Sequence, residues 1–386
     1  MTSTAVLTLN CGSSSVKFAL FERGGGRLLW GRVENLGSEP HLQAWNAVGV
    51  SIAEKKRKTG THESFFRQIF SLADDHLDGR SLVAVGHRVV HGGDQFTAPC
   101  LLTDAVRKAL KKLEGLAPLH QPHNLAAVDA VSRIRPGLPQ VACFDTAFHQ
   151  TMSPTARRFG LPMVLERGGL RRYGFHGLSY EFIADRLKEL SPEVASGRVL
   201  VAHLGSGASM CALHRGQSVD TSMGFSALDG LVMGTRCGTL DPGVLLYLLR
   251  QGLHPSALEN MLYSQAGLLG VSGVSADMRV LLTSKSADAA NAVDLFVFRA
   301  AREAAALISS MGGLDGIVFT AGIGESSPEI RRRICERLTW LGLVLDPAAN
   351  RENRLEIQAP SSRVRVWVLP TDEELTIARH TFSLVA

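Results

Sequence analysis

The most informative segment of the chain is residues 199–243, which read VLVAHLGSGASMCALHRGQSVDTSMGFSALDGLVMGTRCGTLDPG. Its apolar start, residues 199–202, is typical of a buried strand. The strand runs into residues 203–209, HLGSGAS, where two glycines and two hydroxyl side chains can bring backbone N–H groups close to an anion. The segment therefore predicts a strand that ends in a phosphate-binding turn.

An arginine follows in the same segment. Arg236 stands between Gly234 and Gly238, so that its guanidinium can approach a ligand without crowding from neighbouring side chains. A planar guanidinium suits carboxylates and phosphates because it offers paired N–H donors. Arg236 is therefore a candidate ligand for an oxyanion, close in sequence to the phosphate turn.

A second copy of the strand and glycine turn occurs near the N-terminus, in residues 5–20. A shift of 193 residues, which places Val6 on Val199, aligns six identical residues in these two segments. Because the shift is half the chain length, it favours a duplicated domain, and two unrelated hairpins are the alternative. Two such hairpins can hold a polyphosphate from opposite sides of a cleft.

Three other polar residues stand where function is expected. Arg88 lies in an apolar run that ends in two glycines and is a candidate oxyanion ligand. Asp145 directly follows the apolar residues 140–144, a position of metal-binding or catalytic carboxylates in α/β folds, and a helix N-cap is the alternative role. His176 lies in a loop of arginines, aromatics and glycines, where structural and functional roles are both open.

The sequence also predicts particular helix ends and turns. Asn124 is expected to cap the N-terminus of a helix, and Pro328 to open another. Residues 321–326, AGIGES, follow the apolar residues 317–320 and are interpreted as a further glycine turn that can admit a nucleoside. Near the C-terminus, Glu373 belongs to a group of carboxylates that start the last helix and complement its dipole.

The composition indicates a globular protein that acts on a small anion. The chain has 386 residues, of which 45% are hydrophobic, enough for two or three domains with sizeable cores. A formal net charge of +5 suits an anionic substrate but is too small and too evenly spread for nucleic acid. The dense basic run at residues 55–58 is expected to be a solvated loop.

The cysteines and the apolar runs bear on the compartment. The six cysteines are far apart and form no C-x-x-C motif, so that reduced thiols are expected. The first residues lack the basic and apolar regions of a signal peptide, and no apolar run is long enough to span a membrane. These features predict a soluble, cytoplasmic protein without a membrane partner.

Ten motifs, in the same order, resemble the acetate kinase family. They are NCGSSSVKF at 10–18, HRVVHGG at 87–93, PLHQPHNL at 118–125, FDTAFH at 144–149, YGFHG at 173–177, HLGSGAS at 203–209, DTSMGF at 220–225, GTRCGTLDP at 234–242, FTAGIGE at 319–325 and TDEELTIA at 371–378. The glycine turns and the duplicated hairpin also match the actin-like ATPase architecture. Ten ordered motifs over nearly the whole chain are far more specific than a single glycine loop.

The resemblance implies an α/β fold of two duplicated actin-like (ribonuclease H-like) ATPase domains with a nucleotide cleft between them. The expected domains are residues 1–148 with 374–386, and residues 149–373, which would bind the nucleotide and form the interface of a homodimer. The implied reaction is reversible transfer of the γ-phosphoryl group of ATP to acetate, with Mg²⁺ or Mn²⁺. Propionate or another short-chain carboxylate is the alternative substrate. A carboxylate is already ionised at neutral pH, so that this reaction needs no general base.

The roles of the family's residues are carried over to the matching positions. The catalytic residues would be Arg88, Asp145, His176 and Arg236, with His176 and Arg236 as transition-state stabilisers. The substrate-binding residues would be Arg88, Val90, Leu119, Phe175 and Ala227. The ATP-binding residues would be Lys17, His203, Leu204, Gly205, Ser206, Gly207, Asp277, Met278, Arg279, Gly322, Ile323, Gly324 and Ser326. Asn10 and Glu373, together with Asp145, would organise Mg²⁺ mainly through water.

Three positions depart from the family pattern. Ser206 stands where asparagine is usual, so that the shorter side chain is expected to hold phosphate less firmly or through a water. Thr239 replaces the first aspartate of a Gly-Asp-x-Asp-Pro motif. Ala227 replaces a proline of the acyl pocket and leaves more room, which predicts that propionate is used at a useful fraction of the acetate rate.

Two other functions are open at this point. A sugar kinase of the same superfamily would need a general base for a neutral hydroxyl, and Asp145 is the candidate. A nucleotide-dependent chaperone or filament module would use the same phosphate turns, but no separate partner-binding domain is visible among the motifs. A P-loop enzyme is excluded because the dipeptide Gly-Lys occurs nowhere.

Overall fold

The structure is a computed structural model that describes residues 3–12, 15–36, 39–56 and 62–385. Some residues named above lie outside the described residues. They are the first two residues of the chain, Ser13 and Ser14 of the first glycine turn, and Arg57 and Lys58 of the basic run.

The strands and helices of the described residues follow in chain order. The strands are β1 (Thr4–Cys11), β2 (Val16–Glu22), β3 (Arg27–Glu34), β4 (His41–Asn46), β5 (Ser51–Lys56), β6 (Ser81–Val89), β7 (Cys100–Leu101), β8 (Gln140–Phe144), β9 (Arg198–Leu204), β10 (Ala208–His214), β11 (Gln217–Thr221), β12 (Gly316–Thr320) and β13 (Arg365–Val368). The α-helices are α1 (His62–Asp75), α2 (Asp104–Lys111), α3 (Gln121–Ile134), α4 (Pro154–Arg157), α5 (Met163–Arg167), α6 (Gly177–Leu190), α7 (Pro192–Ala195), α8 (Pro242–Arg250), α9 (Pro255–Asn260), α10 (Gly267–Ser272), α11 (Met278–Thr283), α12 (Ala287–Met311), α13 (Ala321–Ser326), α14 (Pro328–Glu336), α15 (Pro347–Arg351) and α16 (Glu373–Val385).

The chain divides into two compact units. The first unit consists of Met1–Phe148 and Asp372–Ala386, and the second of His149–Thr371. The last helix, α16, is therefore part of the first unit although the second unit precedes it in the chain. This return of the chain explains how residues near the C-terminus can meet residues of the first strand.

The first unit contains a mixed sheet with the strand order β5-β4-β3-β2-β1-β6-β8-β7. β1 pairs antiparallel with β2 and parallel with β6, and β6 pairs parallel with β8. The carboxyl ends of β1, β6 and β8 therefore lie along one edge of the sheet, the edge at which α/β proteins commonly place ligands.

Alternate residues of β1 pack on opposite faces of this sheet. Leu7 belongs to a core cluster that includes residues of α1 and α3, whereas Val6 belongs to a second cluster with Phe382 of α16. This period of two is the geometry of a strand that is covered on both faces. Gly86 of β6 allows α16 to approach closely, because an added Cβ would overlap Oγ1 of Thr381.

The second unit contains a five-stranded sheet with the order β11-β10-β9-β12-β13. The helix α12, 25 residues long, packs on this sheet with a buried stripe that includes Phe296, Ala300 and Ala304. Residues four apart share one face of a helix, which explains the stripe. Ser286 caps its N-terminus, and Gly312, with a φ of 70°, ends it in the left-handed conformation that glycine adopts readily.

The two units repeat one topology. The order β3-β2-β1-β6-β8 in the first unit matches β11-β10-β9-β12-β13 in the second, with the same parallel and antiparallel pairings. The hairpin identities are therefore part of a repeated fold. One difference is the register, since Leu7 pairs with Leu20 whereas Leu200 pairs with Ala212 and not with Leu213, because the second turn is one residue shorter.

The predicted role of Asn124 as an N-cap is wrong. Asn124 lies inside α3, whose N-cap position is occupied by His120. The side chain of Asn124 is buried, donates to the carbonyl of Cys11 at 2.6 Å and accepts from the N–H of Val90 at 2.9 Å. Asn124 therefore joins the end of β1 to the segment after β6, a role that local capping rules do not predict.

Two further local predictions are corrected by the structure. Residues 321–326 form the helix α13 and not a glycine turn, because the carboxylate of Glu325 accepts a hydrogen bond from the N–H of Ala321 at 2.8 Å. Lys55 and Lys56 are exposed, as predicted, but they belong to the strand β5 and not to a loop. Pro328 does open α14, behind the N-cap Ser327.

Two global features concern membranes and thiols. Among the described residues, none of the helices is both long enough and apolar enough to cross a bilayer. All six cysteines are described and none forms a disulfide. Burial raises the pKa of the Cys11 thiol to about 12, although the nearby Arg88 opposes this shift.

Candidate functional site

Arg88 and Asp145 form the centre of the candidate site in the first unit. Arg88 lies near the carboxyl end of β6, and Asp145 directly follows the neighbouring parallel strand β8. Nε of Arg88 donates to both carboxylate oxygens of Asp145, at 2.9 and 3.1 Å, and Nη2 donates to Oδ2 at 2.5 Å. Asp145 has no exposed surface, so that this buried ion pair fixes the orientation of the guanidinium.

Asn10 joins this pair to the last helix. It stands at the carboxyl end of β1, and its Oδ1 accepts a hydrogen bond from Nη1 of Arg88 at 3.1 Å. Its Nδ2 donates to Glu373 at 3.0 Å and to Glu374 at 3.3 Å, across 363 and 364 residues of sequence. The first unit therefore brings together Asn10, Arg88, Asp145 and Glu373, four of the residues carried over from the family.

The carboxylates determine the charge state of this cluster. Burial disfavours the cation of Arg88, but Asp145, and then Glu373 and Glu374, outweigh burial and raise the pKa of Arg88. Burial raises the pKa of Glu374, an effect that Lys17 opposes and Glu373 reinforces. Arg88 is therefore a permanent cation in a cluster that has carboxylates on two sides.

The oxygen donors of the first unit suit a magnesium ion that keeps most of its water. Within the described residues, no group of three or more His, Cys, Asp and Glu side chains is arranged to hold a metal directly. The carboxylate of Asp145 and Oδ1 of Asn10 both accept from Arg88, and the carboxylate of Glu373 accepts from Nδ2 of Asn10. Mg²⁺ commonly binds through one or two carboxylates, several waters and substrate phosphates, so that this donor set fits it.

The first unit also contains two of the residues expected in the acyl pocket. Val90 is buried two residues after Arg88, and its N–H is held by Asn124. Leu119 lies just before α3 and is 39% exposed, so that its side chain has apolar surface for a ligand.

Two stacked imidazoles form the centre of the candidate site in the second unit. The rings of His176 and His203 have centroids 4.4 Å apart and planes 17° from parallel. Nδ1 of His176 is 2.8 Å from Oγ of Ser209, and Nδ1 of His203 is 2.8 Å from Oγ of Ser179. His176 stands at the N-cap position of α6 with a φ of 59°. Residues other than glycine that adopt this left-handed conformation are often found at functional sites.

The glycines of the 203–209 turn allow these side chains to lie close to its backbone. An added Cβ at Gly207 would be 3.5 Å from Nε2 of His176 and 3.6 Å from Nη2 of Arg236. An added Cβ at Gly205 would be 3.9 Å from Nε2 of His203. The turn, both imidazoles and the guanidinium are therefore gathered into one cluster of donors, which suits phosphate oxygens.

The two acyl-pocket residues of the second unit lie beside this cluster. Nη1 of Arg236 donates to the carbonyl of Ala227 at 3.1 Å. Phe175 is buried directly before His176, and its carbonyl is 2.9 Å from Nε2 of His149. Burial lowers the pKa of His149 to about 4, so that this imidazole is neutral at physiological pH.

A cavity of about 780 Å³ in the second unit contains much of the predicted ATP-binding set. The predicted residues that line it are Gly205, Ser206, Asp277, Met278, Arg279, Gly322, Ile323 and Ser326. Its volume is typical of small-molecule sites. Asp277 caps α11 and forms an ion pair with Arg279 at 2.6 Å, so that these two side chains define one wall together.

The other predicted ATP-binding residues lie outside the lining of this cavity. His203 and Leu204 end β9, Gly207 lies in the following turn, and Gly324 is buried in α13. Lys17 is an exposed residue of the first unit, directly opposite Asn10 in the pairing of β1 with β2.

The departures from the family pattern have structural partners. The carbonyl of Ser206 accepts from the N–H of Gly234 at 3.0 Å, and its Oγ would be 3.2 Å from a Cβ added there. Oγ1 of Thr239 donates to Asp229 at 2.9 Å, and its N–H donates to Gly230 at 2.9 Å. Thr239 therefore closes the loop that carries Arg236.

Sequence reasoning missed several members of these clusters. Glu374 was treated only as a helix-dipole partner, yet it contacts Asn10. Ser179 and Tyr180, both in α6, were not considered, and Ser209 was considered only as part of the turn, although Tyr180 and Ser209 are hydrogen-bonded to each other. Ser209 and Glu374 carried a signal, since they lie in the HLGSGAS and TDEELTIA motifs.

Comparison with known proteins identifies the family. The sequence profile of the acetokinase family matches residues 5–379, nearly the whole chain. The chain belongs to the acetokinase family. The family was thus correctly predicted from the ten motifs, and its members supply the frame in which the two residue clusters can be interpreted.

Relatives and solved structures agree with this assignment. An acetate kinase of Rhodopseudomonas palustris is 49% identical over 99% of this chain and 98% of its own, and one of Rhizobium meliloti is 47% identical over the same shares. The crystal structure of a propionate kinase from Francisella tularensis matches with a TM-score of 0.92, 36% identity and coverage of 99% of this chain and 100% of its own. The acetate kinase of Porphyromonas gingivalis matches with a TM-score of 0.88, 36% identity and the same coverage. These matches confirm the predicted two-domain actin-like fold class.

Proposed function

We propose that this chain is an acetate kinase, which reversibly transfers the γ-phosphoryl group of ATP to acetate and produces acetyl phosphate and ADP. The observation that carries the proposal is the full-length likeness to acetate kinases at up to 49% identity. In the forward direction a carboxylate oxygen of acetate forms a bond to the γ-phosphorus while the bond from that phosphorus to the bridging oxygen of ADP breaks. Acetate is ionised at neutral pH, so that no general base is required.

Charge neutralisation and positioning then account for most of the catalysis. In the first unit, Arg88 is held by Asp145 and Asn10 through its Nε, Nη1 and Nη2 atoms. A guanidinium has five N–H donors, and the remaining ones would bind the carboxylate of the substrate or the moving phosphoryl group. Val90 and Leu119 would contact the methyl group of acetate. Asp145 would act by holding Arg88 in place.

Asn10 and Glu373 would hold Mg²⁺ mainly through water, and Mn²⁺ can take the same oxygen ligands. When bound, the ion neutralises charge on the phosphate oxygens. The residues of this chain would then have to hold the ion close to Asp145 without displacing Arg88. The water-mediated arrangement satisfies that condition because it does not need the Asp145 oxygens as direct ligands.

In the second unit, the cavity lined by Asp277, Met278 and Ile323 would bind the nucleoside of ATP. The 203–209 turn and His203 would bind its phosphates, consistent with the cluster of N–H donors around Gly205 and Gly207. His176 and Arg236 would stabilise the negative charge of the transition state. An arginine at a transferring phosphoryl group typically contributes about 10³- to 10⁵-fold in rate.

Propionate is the second candidate substrate. The carbonyl of Ala227 is held by Arg236, and alanine is smaller than the proline that family members usually carry at this position. The likeness to a propionate kinase of known structure is also in favour of this activity. We expect both acids to be phosphorylated, with acetate preferred.

We further propose that the protein is a cytoplasmic homodimer. No residue of α8 is buried, and Leu246 and Tyr247 are 53% and 61% exposed. An exposed apolar helix is typical of a protein interface. None of the six cysteines forms a disulfide, which is in keeping with a reducing compartment. Sedimentation of the wild type and of Tyr247→Glu tests the dimer, which the charged variant should dissociate if α8 forms the interface.

Hydroxylamine trapping of acyl phosphates tests the proposed function. The protein is incubated with Mg-ATP and formate, acetate, propionate or butyrate, and glucose serves as a sugar acceptor in a coupled ADP assay. Trapped product with acetate, and its loss in Arg236→Ala, are expected. Absence of product with every acid would refute the proposal, and ADP release with the sugar alone would indicate a sugar kinase.

A further inference from the structure

We propose that Ser209 and Tyr180 are positioning residues that hold His176 in the tautomer with its proton on Nε2, so that this nitrogen donates to the transferring phosphoryl group. The proposal rests on the proposed function, because it assigns partners to a histidine of that reaction. It concerns two side chains outside the residue set carried over from the family.

The geometry forms a chain of three hydrogen-bonded groups. Oη of Tyr180 is hydrogen-bonded to Oγ of Ser209, and Oγ of Ser209 is 2.8 Å from Nδ1 of His176. Tyr180 and Ser209 have no exposed surface. The hydrogen-bonded side chains come from two elements, since Tyr180 lies in α6 and Ser209 in β10. Because Tyr180 and Ser209 are both buried, this series of hydrogen bonds indicates a rigid support for the imidazole of His176.

The other ring nitrogen of His176, Nε2, faces the 203–209 turn. Nε2 of His176 lies within 3.5 Å of the position that a Cβ would take at Gly207, and Nη2 of Arg236 is 3.6 Å from the same point. Nδ1 is thus held from behind by a hydroxyl while Nε2 faces the backbone of the turn. The stacking of His176 on His203 further restricts rotation of the ring.

The donor direction follows from the chemistry of the three groups. Burial raises the pKa of Tyr180 well above its usual value, and this side chain therefore remains a protonated phenol. A phenol is a better donor than an aliphatic hydroxyl, and a neutral imidazole nitrogen is a better acceptor than either. The favoured order is thus Tyr180 to Ser209 to Nδ1 of His176. Hydrogen bonds aligned in one direction also strengthen each other.

The tautomer follows from this direction. A nitrogen that accepts a hydrogen bond carries no proton, so that the proton of the neutral ring must be on Nε2. An N–H at that position can donate to a phosphoryl oxygen without any change of protonation. In the opposite tautomer, the lone pair of Nε2 would face the same oxygens and repel them.

Kinetics of Ser209→Ala and Tyr180→Phe test the positioning role. Removing the direct partner of Nδ1 should reduce kcat about 10-fold to 100-fold, the range for groups that orient a functional histidine. Tyr180→Phe keeps the ring and removes only the hydroxyl, and it should reduce kcat by about 3-fold to 10-fold. KM for ATP and for acetate should stay within about 2-fold, because both partners act on the transition state and not on binding.

The matched control is Ser362→Ala, also in the second unit. Oγ of Ser362 donates to the carbonyl of Val364 at 2.7 Å and accepts from the N–H of Val344 at 3.0 Å. Like Ser209→Ala, this variant loses a hydroxyl that has two hydrogen-bond partners. Those partners, Val344 and Val364, do not belong to the series Tyr180–Ser209–His176. We expect a lower melting temperature and unchanged kcat.

A spectroscopic measurement distinguishes the proposal from a purely structural effect. Long-range ¹H–¹⁵N spectra of the protein labelled on histidine, recorded at about pH 8 so that neutral imidazoles predominate, report which ring nitrogen carries the proton. The signal of His176 is assigned by its loss in His176→Asn. We expect the Nε2–H tautomer in the wild type and a mixture of both tautomers in Ser209→Ala.

Each outcome decides the proposal. It is supported by a fall in kcat together with the tautomer change, and overturned if His176 carries its proton on Nδ1 in the wild type. It is also overturned if Ser209→Ala is folded and retains wild-type kcat. If the wild type makes no acyl phosphate at all, the proposed function fails, and the spectra alone then decide which tautomer the chain imposes.

Discussion

The guanidinium of Arg88 holds the carboxylate of Asp145 through three hydrogen bonds, although the two residues are 57 positions apart. Asp145 has no exposed surface, so that the paired guanidinium contributes strongly to the stabilisation of its charge. The pair also lies at the ends of two adjacent parallel strands, where the backbone is fixed by the sheet. The arginine that we propose to bind substrate is thereby anchored to a buried carboxylate.

Arg88→Met should therefore reduce stability as well as activity. Removing one partner of a buried ion pair typically costs about 3 to 5 kcal/mol, because an uncompensated charge is left behind. The free energy of unfolding, from urea titration, should fall by about this amount, and acyl phosphate formation should be lost. The double variant Arg88→Met with Asp145→Asn should recover part of the stability but none of the activity.

Arg80→Met is the matched control in the same unit. Arg80 makes two hydrogen bonds to Glu22, at 2.7 and 3.0 Å, but both side chains are partly exposed. The free energy of unfolding of Arg80→Met should fall by less than about 1 kcal/mol. An equal loss in the two arginine variants would contradict the special role of the Arg88 pair.

Ser206→Asn should improve the binding of ATP. Ser206 lines the cavity that we propose for ATP, and a longer amide would reach phosphate oxygens that the serine is expected to hold less firmly or through a water. We expect a decrease of about 3-fold in KM for ATP, with KM for acetate unchanged. An increase in KM for ATP would show that the serine is the better fit.

Ala227→Pro should narrow the substrate range. The carbonyl that Arg236 binds is retained by proline, while the ring fills the space that the alanine leaves. One methylene in a hydrophobic pocket typically changes discrimination by about 10-fold or more. The ratio of kcat/KM for propionate to that for acetate is the measurement, and it should fall by about this factor. An unchanged ratio would place the specificity elsewhere, and Ala227→Ser serves as a small-residue control.

The buried histidines should make stability depend on pH. Burial lowers the pKa of His87 to about 4, although its hydrogen bond to Gln140 opposes this shift. In the unfolded chain a histidine titrates near ~6.5, so that between these values the unfolded state binds more protons and stability falls as the pH falls. The pH dependence has the same direction for His91 and His149, because burial also lowers the pKa of each of these side chains to about 4.

The urea midpoint should therefore decrease from pH 6.5 toward pH 4, a range in which each buried histidine contributes at most about 3 kcal/mol. His87→Gln should reduce the steepness of this decrease by about a third. The urea midpoint of His214→Gln, a substitution at an exposed position, is recorded over the same pH range for comparison. A midpoint that is independent of pH in the wild type would contradict the neutral state of the buried rings.

Removal of the divalent ion should abolish acyl phosphate formation. EDTA should stop the trapping reaction, and Mg²⁺ or Mn²⁺ should restore it. Glu373→Gln removes a charge from the proposed water-mediated site and should raise the half-saturating Mg²⁺ concentration by about 10-fold or more. Glu63→Gln, on the exposed side of α1, should leave it unchanged. Equal Mg²⁺ dependence in the two variants would remove Glu373 from the metal site.

The local pattern of the chain was enough to predict both hairpins, the glycine turn between β9 and β10 and the opening of α14 by Pro328. The region between the first hairpin and β6 was not predicted. Its strand β5 is largely exposed and lacks the alternation that identifies a half-buried strand. Asn124 was misassigned because capping preference is a local rule, whereas its side chain forms hydrogen bonds with a carbonyl and an N–H that are distant in sequence.

The amino-acid sequence by itself determined the family, the reaction class and the residue types that phosphate and carboxylate chemistry require, because these are expressed in short motifs of fixed spacing. Only the tertiary structure decided which of those residues meet. The bond from Asn10 to Glu373 crosses 363 residues, and the stacked rings of His176 and His203 come from different elements. Such contacts depend on strand order, register and helix placement, which no local pattern contains.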